Sequence, residues 1–248
     1  MTYNFLIAPD FSPEHFAGWH MFNNLLQRQS DLGVHLLTPA SHAEQNEMLA
    51  SQEVGLIYAN PFDAAALIRE KGYRVVARPI GKSDEMVIVS SAKSEIHSLD
   101  AIQPGNKVAM ADNRDVKLIG LRLLEAVDIL EADLDFQITE SYQAAARQVI
   151  QGQAEIGFFL AEVFNSLSKL TKAQLNVLIE SDLADICHVV LIKDNVEHAD
   201  VLANVILSLQ TTEEGKALLA ELGMPAGFEA MDEEDGEFMI DLMETLLD

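Results

Sequence analysis

Ser141-Tyr-Gln-Ala-Ala-Ala-Arg-Gln-Val-Ile-Gln-Gly-Gln-Ala-Glu-Ile-Gly-Phe-Phe-Leu-Ala-Glu-Val-Phe164 reads as a short helix, a turn at Gly152, a short apolar strand and a second helix. An earlier segment follows the same order. Glu44 to Ser51 reads as a helix, Val54-Gly-Leu-Ile-Tyr-Ala59 as a strand, and Asn60-Pro-Phe-Asp63 as the opening of the next helix. Two copies of a strand whose carboxyl end feeds a helix N-terminus imply two similar α/β lobes. Open α/β sheets take ligands beyond the carboxyl ends of their strands. The pattern therefore describes a two-lobed ligand binder.

Composition narrows the classes. A chain of 248 residues that is 49% hydrophobic can fill real cores. Sixteen basic against forty acidic residues leave a net charge of −24, which repels phosphate backbones and anionic membrane surfaces, so no nucleic-acid partner is expected. The acidity is uneven: residues 229–248 carry nine acids and no base. The single cysteine, Cys187, rules out an internal disulfide and sits in the apolar run Ile186-Cys-His-Val-Val-Leu-Ile192, where a buried thiol is expected. No run approaches the roughly 20 apolar residues of a spanning helix, so no membrane insertion is expected. Met1-Thr-Tyr-Asn-Phe-Leu-Ile-Ala-Pro9 has no basic start and reads as a first strand, which gives a cytoplasmic expectation, or a periplasmic one if a leader has been removed.

Along the chain, Asn4–Ala8 and Val34–Thr38 read as strands. Ser12 caps a helix with Pro13 at its first position, and Trp19 falls on the buried face of that helix. Ser41-His-Ala-Glu44 has the form of a capping box. Tyr73–Pro79 and Glu85–Ser90 read as consecutive strands, and Lys107–Met110 as another. Asp112 opens an amphipathic helix to about Val127, with Val116, Ile119, Leu123 and Leu124 inward. Phe136–Glu140, Gln174–Glu180 and Cys187–Lys193 complete the strands, and helices fill the end, one of them stopping at Gly223. The expected division places residues 1–90 and 187–248 in a discontinuous first lobe. Residues 91–186 form an inserted second lobe.

Motifs for chemistry are sparse. The chain has no Gly-x-Ser-x-Gly, phosphate-cradling loop or Gly-x-Gly-x-x-Gly. His15 and His20, five apart, do not share a helical face, so no metal site is expected, and no cofactor. Asp10, Glu85, His15 and Asp115 are the acid/base candidates if the scaffold were an enzyme. What remains is a set of helix N-termini at strand ends: Ser12, Asn60, Asp112 or Asn113, and Ser141. Each offers unpaired N–H groups and a positive dipole end to an anion, and Arg114 stands beside one of them.

Over nearly its whole length the chain resembles the phosphate/phosphite/phosphonate substrate-binding proteins of ABC transporters, a branch of the type 2 periplasmic-binding fold. Val54–Phe62 resembles the family's strand followed by Gly/Asn-Pro and an aromatic. Tyr73–Pro79 resembles its x-Pro-Val-Ala-Arg strand, and Lys107-Val-Ala-Met-Ala-Asp112 its Lys-Val-Ala-Phe-Gly-Asp. Ser141-Tyr142 stands where the family has Ser-His, and Thr211–Phe228 resembles its Glu-Gly…Leu-Gly…Gly-Phe segment. The departures fall on ligand chemistry. The family's phosphate-gripping Ser-Thr-Ser/Gly is here Asn113-Arg-Asp-Val-Lys117, which removes two hydroxyl donors and adds the Asp115 charge. The family's ligand-amine aspartate aligns with Leu160, and its Tyr or His positions become Tyr142 and Phe164.

The resemblance implies an α/β, two-lobed, hinged type 2 periplasmic-binding-protein-like fold with an inter-lobe cleft. It implies a non-enzymatic binder of a small ligand, an anion by its helix termini, acting as sensor, regulator or transport component. The alternatives are an interaction module with a vestigial cleft and a cytosolic biosynthetic enzyme on the same fold. Strand-end placement and the alignment together give Asp10, Phe11, Ser12, Tyr58, Asn60, Asp112, Asn113, Arg114, Ser141, Tyr142 and Phe159 as ligand-binding residues. A last helix with Phe238 or Met239, Leu242, Met243, Leu246 and Leu247 on one face either packs on the first lobe or joins a protein partner or second copy.

Overall fold

The chain needs a crossover after each parallel strand, and the sequence supplies a helix at every one. The structure is a computed structural model that describes residues 2–9, 15–182 and 186–247. In chain order its elements are β1 (Thr2–Ile7), α1 (Phe16–Ser30), β2 (Gly33–Leu37), α2 (His42–Ser51), β3 (Leu56–Ala59), α3 (Pro61–Lys71) and β4 (Tyr73–Pro79). Next come β5 (Met86–Ser91), β6 (Lys107–Ala111), α4 (Arg114–Leu124), β7 (Asp135–Thr139), α5 (Tyr142–Ile150), β8 (Ile156–Leu160), α6 (Ala161–Ser166), α7 (Lys169–Lys172) and β9 (Leu175–Glu180). The chain closes with β10 (Val189–Lys193), α8 (Ala199–Ser208), α9 (Glu213–Glu221), β11 (Phe228–Ala230) and α10 (Glu233–Leu247). It is α/β, with two sheets and two compact units. Met1–Lys82 with Cys187–Thr245 make one unit, and Ser83–Ile186 with Leu246–Asp248 the other.

The first unit holds a six-stranded sheet in the order β11-β4-β10-β3-β1-β2. β1 runs parallel to β2 and β3, while β10 is antiparallel to both β3 and β4. On one face Phe5, Trp19, Phe22 and Phe228 form an aromatic core with Leu202 and Ile206 of α8 and Leu218 and Leu219 of α9. Trp19 is thus a core residue. The C-terminal helix packs through Met239 and Met243, both buried, and pairs Glu244 with Arg69 of α3, while Phe238 stays 57% exposed.

The second unit holds a five-stranded sheet in the order β7-β6-β8-β5-β9, with β7, β6 and β8 parallel. Strand β5 is buried along its whole length between β8 and β9. This corrects the first boundary expected from sequence: a strand at 85–90 belongs to the second unit, and the chain crosses at Lys82/Ser83. The physical reason is that both hydrogen-bonding partners of β5 lie within residues 83–186. The return crossing is at Ile186/Cys187. Several ends differ by a residue or two. The helix expected from Asp112 to Val127 runs Arg114–Leu124 and ends in a tighter 3-10 turn over Glu125–Val127. The start of the first helix expected at Ser12-Pro13 lies outside the described residues.

Gly120 in α4 faces Phe158 so closely that an added Cβ would come within 2.4 Å of the ring and 2.9 Å of the Met86 methyl. Gly120→Ala should therefore cost about 1–3 kcal/mol, the usual penalty for overpacking a full core. Urea titration of the variant checks this, and an unchanged midpoint would contradict the α4 packing. A second expectation concerns Tyr73, whose hydroxyl donates to the Val54 carbonyl at 2.6 Å. Burial, helped by the Glu53 charge, pushes its phenol from 10.0 up to about 12. The folded state holds this proton more tightly than the unfolded chain. The associated stability is present below pH 10 and lost as pH rises through 12. Stability measured from pH 9 to 12 should fall less steeply in Tyr73→Phe than in the parent.

Candidate functional site

Polar caps stand where strands end. In the second unit β6 and β7 are adjacent and parallel, so α4 and α5 begin side by side at their carboxyl ends. Asn113 caps α4, its Oδ1 accepting the Val116 N–H at 3.0 Å. Ser141 caps α5, its Oγ accepting from Ala144 at 3.2 Å. Thr139, not singled out from sequence, ties the two strand ends together. Its hydroxyl lies 3.0 Å from the Met110 carbonyl and 2.9 Å from that of Ser141. A threonine at the last position of a strand, just before a Ser cap, was the available signal.

Each cap satisfies one of the first N–H groups of its helix and leaves others, with the positive end of the dipole, for an anion. Arg114 is exposed at the first position of α4, and Asp112 just before it is exposed as well. One residue further, Asp115 is buried, only 3% exposed. The first turn of α4 thus carries a buried acidic side chain. Tyr142 lies half-buried in the first turn of α5, its ring 5.9 Å from that of Phe159.

The first unit repeats the arrangement. Asn60 caps α3, accepting from the Asp63 N–H at 2.8 Å and donating to its carboxylate at 3.1 Å, with Pro61 at the first helical position. Ser41 caps α2 by accepting from Glu44. The Glu44 carboxylate accepts from Ala40 rather than from Ser41, so the capping box reaches back one residue further than its usual form. Tyr58, at the end of β3, lies 4.8 Å from Trp19 and stacks on His188 at 5.2 Å.

These observations sort the expected ligand residues. Asn113, Arg114 and Asp112 come together at one strand end, with Ser141 and Tyr142 at the next. Phe159 is fully buried in the core with Val149, Phe164 and Leu175, so its place is in packing and not on a ligand surface. The alternation along β8 aims Phe158 and Phe159 at opposite faces, and both faces carry helices. Asn60 is 1% exposed and Tyr58 6%, which makes the former a buried cap and the latter part of an aromatic stack. Asp10, Phe11 and Ser12 lie outside the described residues. Among the acid/base candidates, His15 meets the Glu221 carbonyl at 2.8 Å and Glu85 bonds Ser181. Among the described residues no cluster of His, Cys, Asp and Glu could hold a metal.

Residues 5–235 match the family model described as the periplasmic substrate-binding protein of phosphonate ABC transporters. The chain belongs to that family: it is a substrate-binding protein and not an enzyme. No curated protein matches it. Among solved structures, PhnD1 of Prochlorococcus marinus in complex with methylphosphonate has a TM-score of 0.82 at 15% identity, covering 99% of this chain and 98% of that one. A Xanthomonas citri protein bound to ATP gives 0.81 at 11% identity with coverage of 99% and 98%. A binding-protein component of an ABC phosphonate transporter from Pseudomonas aeruginosa gives 0.75 at 16% identity, covering 100% and 89%. At these identities the likeness shows the fold.

Because Asn113 and Ser141 cap separate helices, Asn113→Ala and Ser141→Ala should each lower stability by about 1 kcal/mol. The double variant should lose the sum, since the caps share no hydrogen bond. Thermal melts without ligand check both statements.

Proposed function

We propose that this chain is the solute-binding component of an ABC transporter, working in the periplasm, and that its ligand is a small organic monoanion such as a sulfonate or carboxylate. Family membership supports transport over sensing or a vestigial interaction role. It also gives no support to the cytoplasmic location read from the first residues. The ligand class rests on one observation: two adjacent capped helix N-termini with Arg114 exposed at their rim and the Asp115 carboxylate buried in the first turn of α4. Helix termini and a guanidinium attract one negative charge. The nearby buried carboxylate disfavours a second, and the hydroxyl donors the family uses on phosphate are replaced by Asn113 and Asp115. Asp112, Asn113, Arg114, Ser141 and Tyr142 would touch the ligand in this unit.

Thermal-shift screening tests this with methanesulfonate and small carboxylates against phosphate, methylphosphonate and aminoalkylphosphonates. A monoanion at 100 times its dissociation constant should stabilise the fold by about 2.7 kcal/mol. Screened on the alkaline side of their second ionisation, where they are dianionic, phosphate and the phosphonates should give little shift. Arg114→Ala should remove the monoanion's effect while leaving the ligand-free melt close to the parent's. A larger shift with methylphosphonate than with any monoanion would overturn the assignment.

A further inference from the structure

Apart from the strand-end rims, the first unit carries a groove of about 520 Å³ between α2 and α3. That volume is within the usual range for small-molecule sites. Along α3 the wall presents Asp63, then Leu67, then Glu70. Residues at this spacing share one helical face, and seven residues put the two carboxylates on the order of 10 Å apart along the axis. The stripe is thus acidic at both ends and aliphatic between them. Leu49 of α2 adds to the aliphatic middle.

The Asp63 end holds a second feature. Gln45 is 2% exposed, and its amide N–H donates to the Asp63 carboxylate at 2.6 Å. Its Oε1 is buried with no hydrogen-bond partner among the described residues. The amide cannot be turned over to relieve this, because its oxygen would then face the carboxylate oxygen. A buried acceptor left unmade is costly, so such a group calls for a donor. Two bases also border the groove, Lys71 and Lys193, and Lys193 is held by Glu53 at 2.9 Å.

We infer that this groove binds a short linear alkyl diammonium, one ammonium donating to Asp63 and the Gln45 oxygen, the methylenes lying on Leu67 and Leu49, and the other ammonium meeting Glu70. The inference is independent of the anion proposed for the strand-end rims. Isothermal titration of the full chain with 1,5-diaminopentane tests it, at ionic strength matched with sodium chloride to set aside diffuse attraction to a chain of net charge −24. Saturable binding is expected, with butylamine roughly tenfold weaker because one charged contact is lost. The exposed-site variant Glu70→Gln should fold like the parent and bring the diamine down to the level of butylamine. Gln45→Leu should weaken both amines. The inference fails if the diamine shows no saturable heat, if butylamine equals it in the parent, or if Glu70→Gln leaves its affinity unchanged.

Discussion

The first sheet depends on a strand that arrives late. β10 lies between β3 and β4, hydrogen-bonded to both, and four of its five residues are buried. Without it, β3 and β4 would each expose an edge of unpaired N–H and C=O groups inside an otherwise apolar layer, which is costly. The sheet therefore cannot close until the chain has passed through all of residues 83–186 and returned. The fold must pay this loop-closure entropy before the pairing rewards it. Asn60 and the Tyr58–His188 stack stand at the end of β3, beside this late pairing.

Much of this was legible in the sequence because strands inside a sheet that is covered by helices have to be short, mostly apolar runs. Tyr73–Pro79 was read to the residue, and the caps Ser41, Asn60 and Ser141 were visible as polar residues directly before helical periodicity, while the α4 cap was narrowed to Asp112 or Asn113, of which Asn113 is the one that caps. Membership of β5 was not legible. A mostly apolar strand looks the same in either sheet, and only its partners β8 and β9 assign it. Phe159 was misjudged for a related reason. Two consecutive phenylalanines at a strand end give no sign of which face is covered, and here both are. The groove between α2 and α3 was invisible because its two walls come from separate helices, each with an ordinary polar surface pattern.

Charge is distributed with a purpose that composition conceals. Of the many acids, several are spent locally on the bases: Glu214 on Arg28, Glu229 on Arg78, Glu131 on Lys117 and Glu53 on Lys193. Such exposed pairs contribute little to stability. Their effect is to remove surface cations, so that in a chain of net charge −24 an anion finds few attractive places. Arg114 stands out by position more than by charge, because it is exposed at the first turn of a helix whose dipole adds to it.

This bears on how an acidic protein could select an anion, the ligand class proposed above. Long-range repulsion from forty carboxylates is screened over a Debye length of about 8 Å at physiological salt, whereas backbone N–H groups act at contact. Recognition by helix termini is therefore insensitive to overall charge yet sensitive to a single neighbouring carboxylate. Asp115, buried in the first turn of α4, is placed to be such a neighbour. If the site takes an anion as proposed, an acidic residue at that position would change the preferred ligand charge without altering strands, caps or helix directions. The same fold can then serve ligands of different charge.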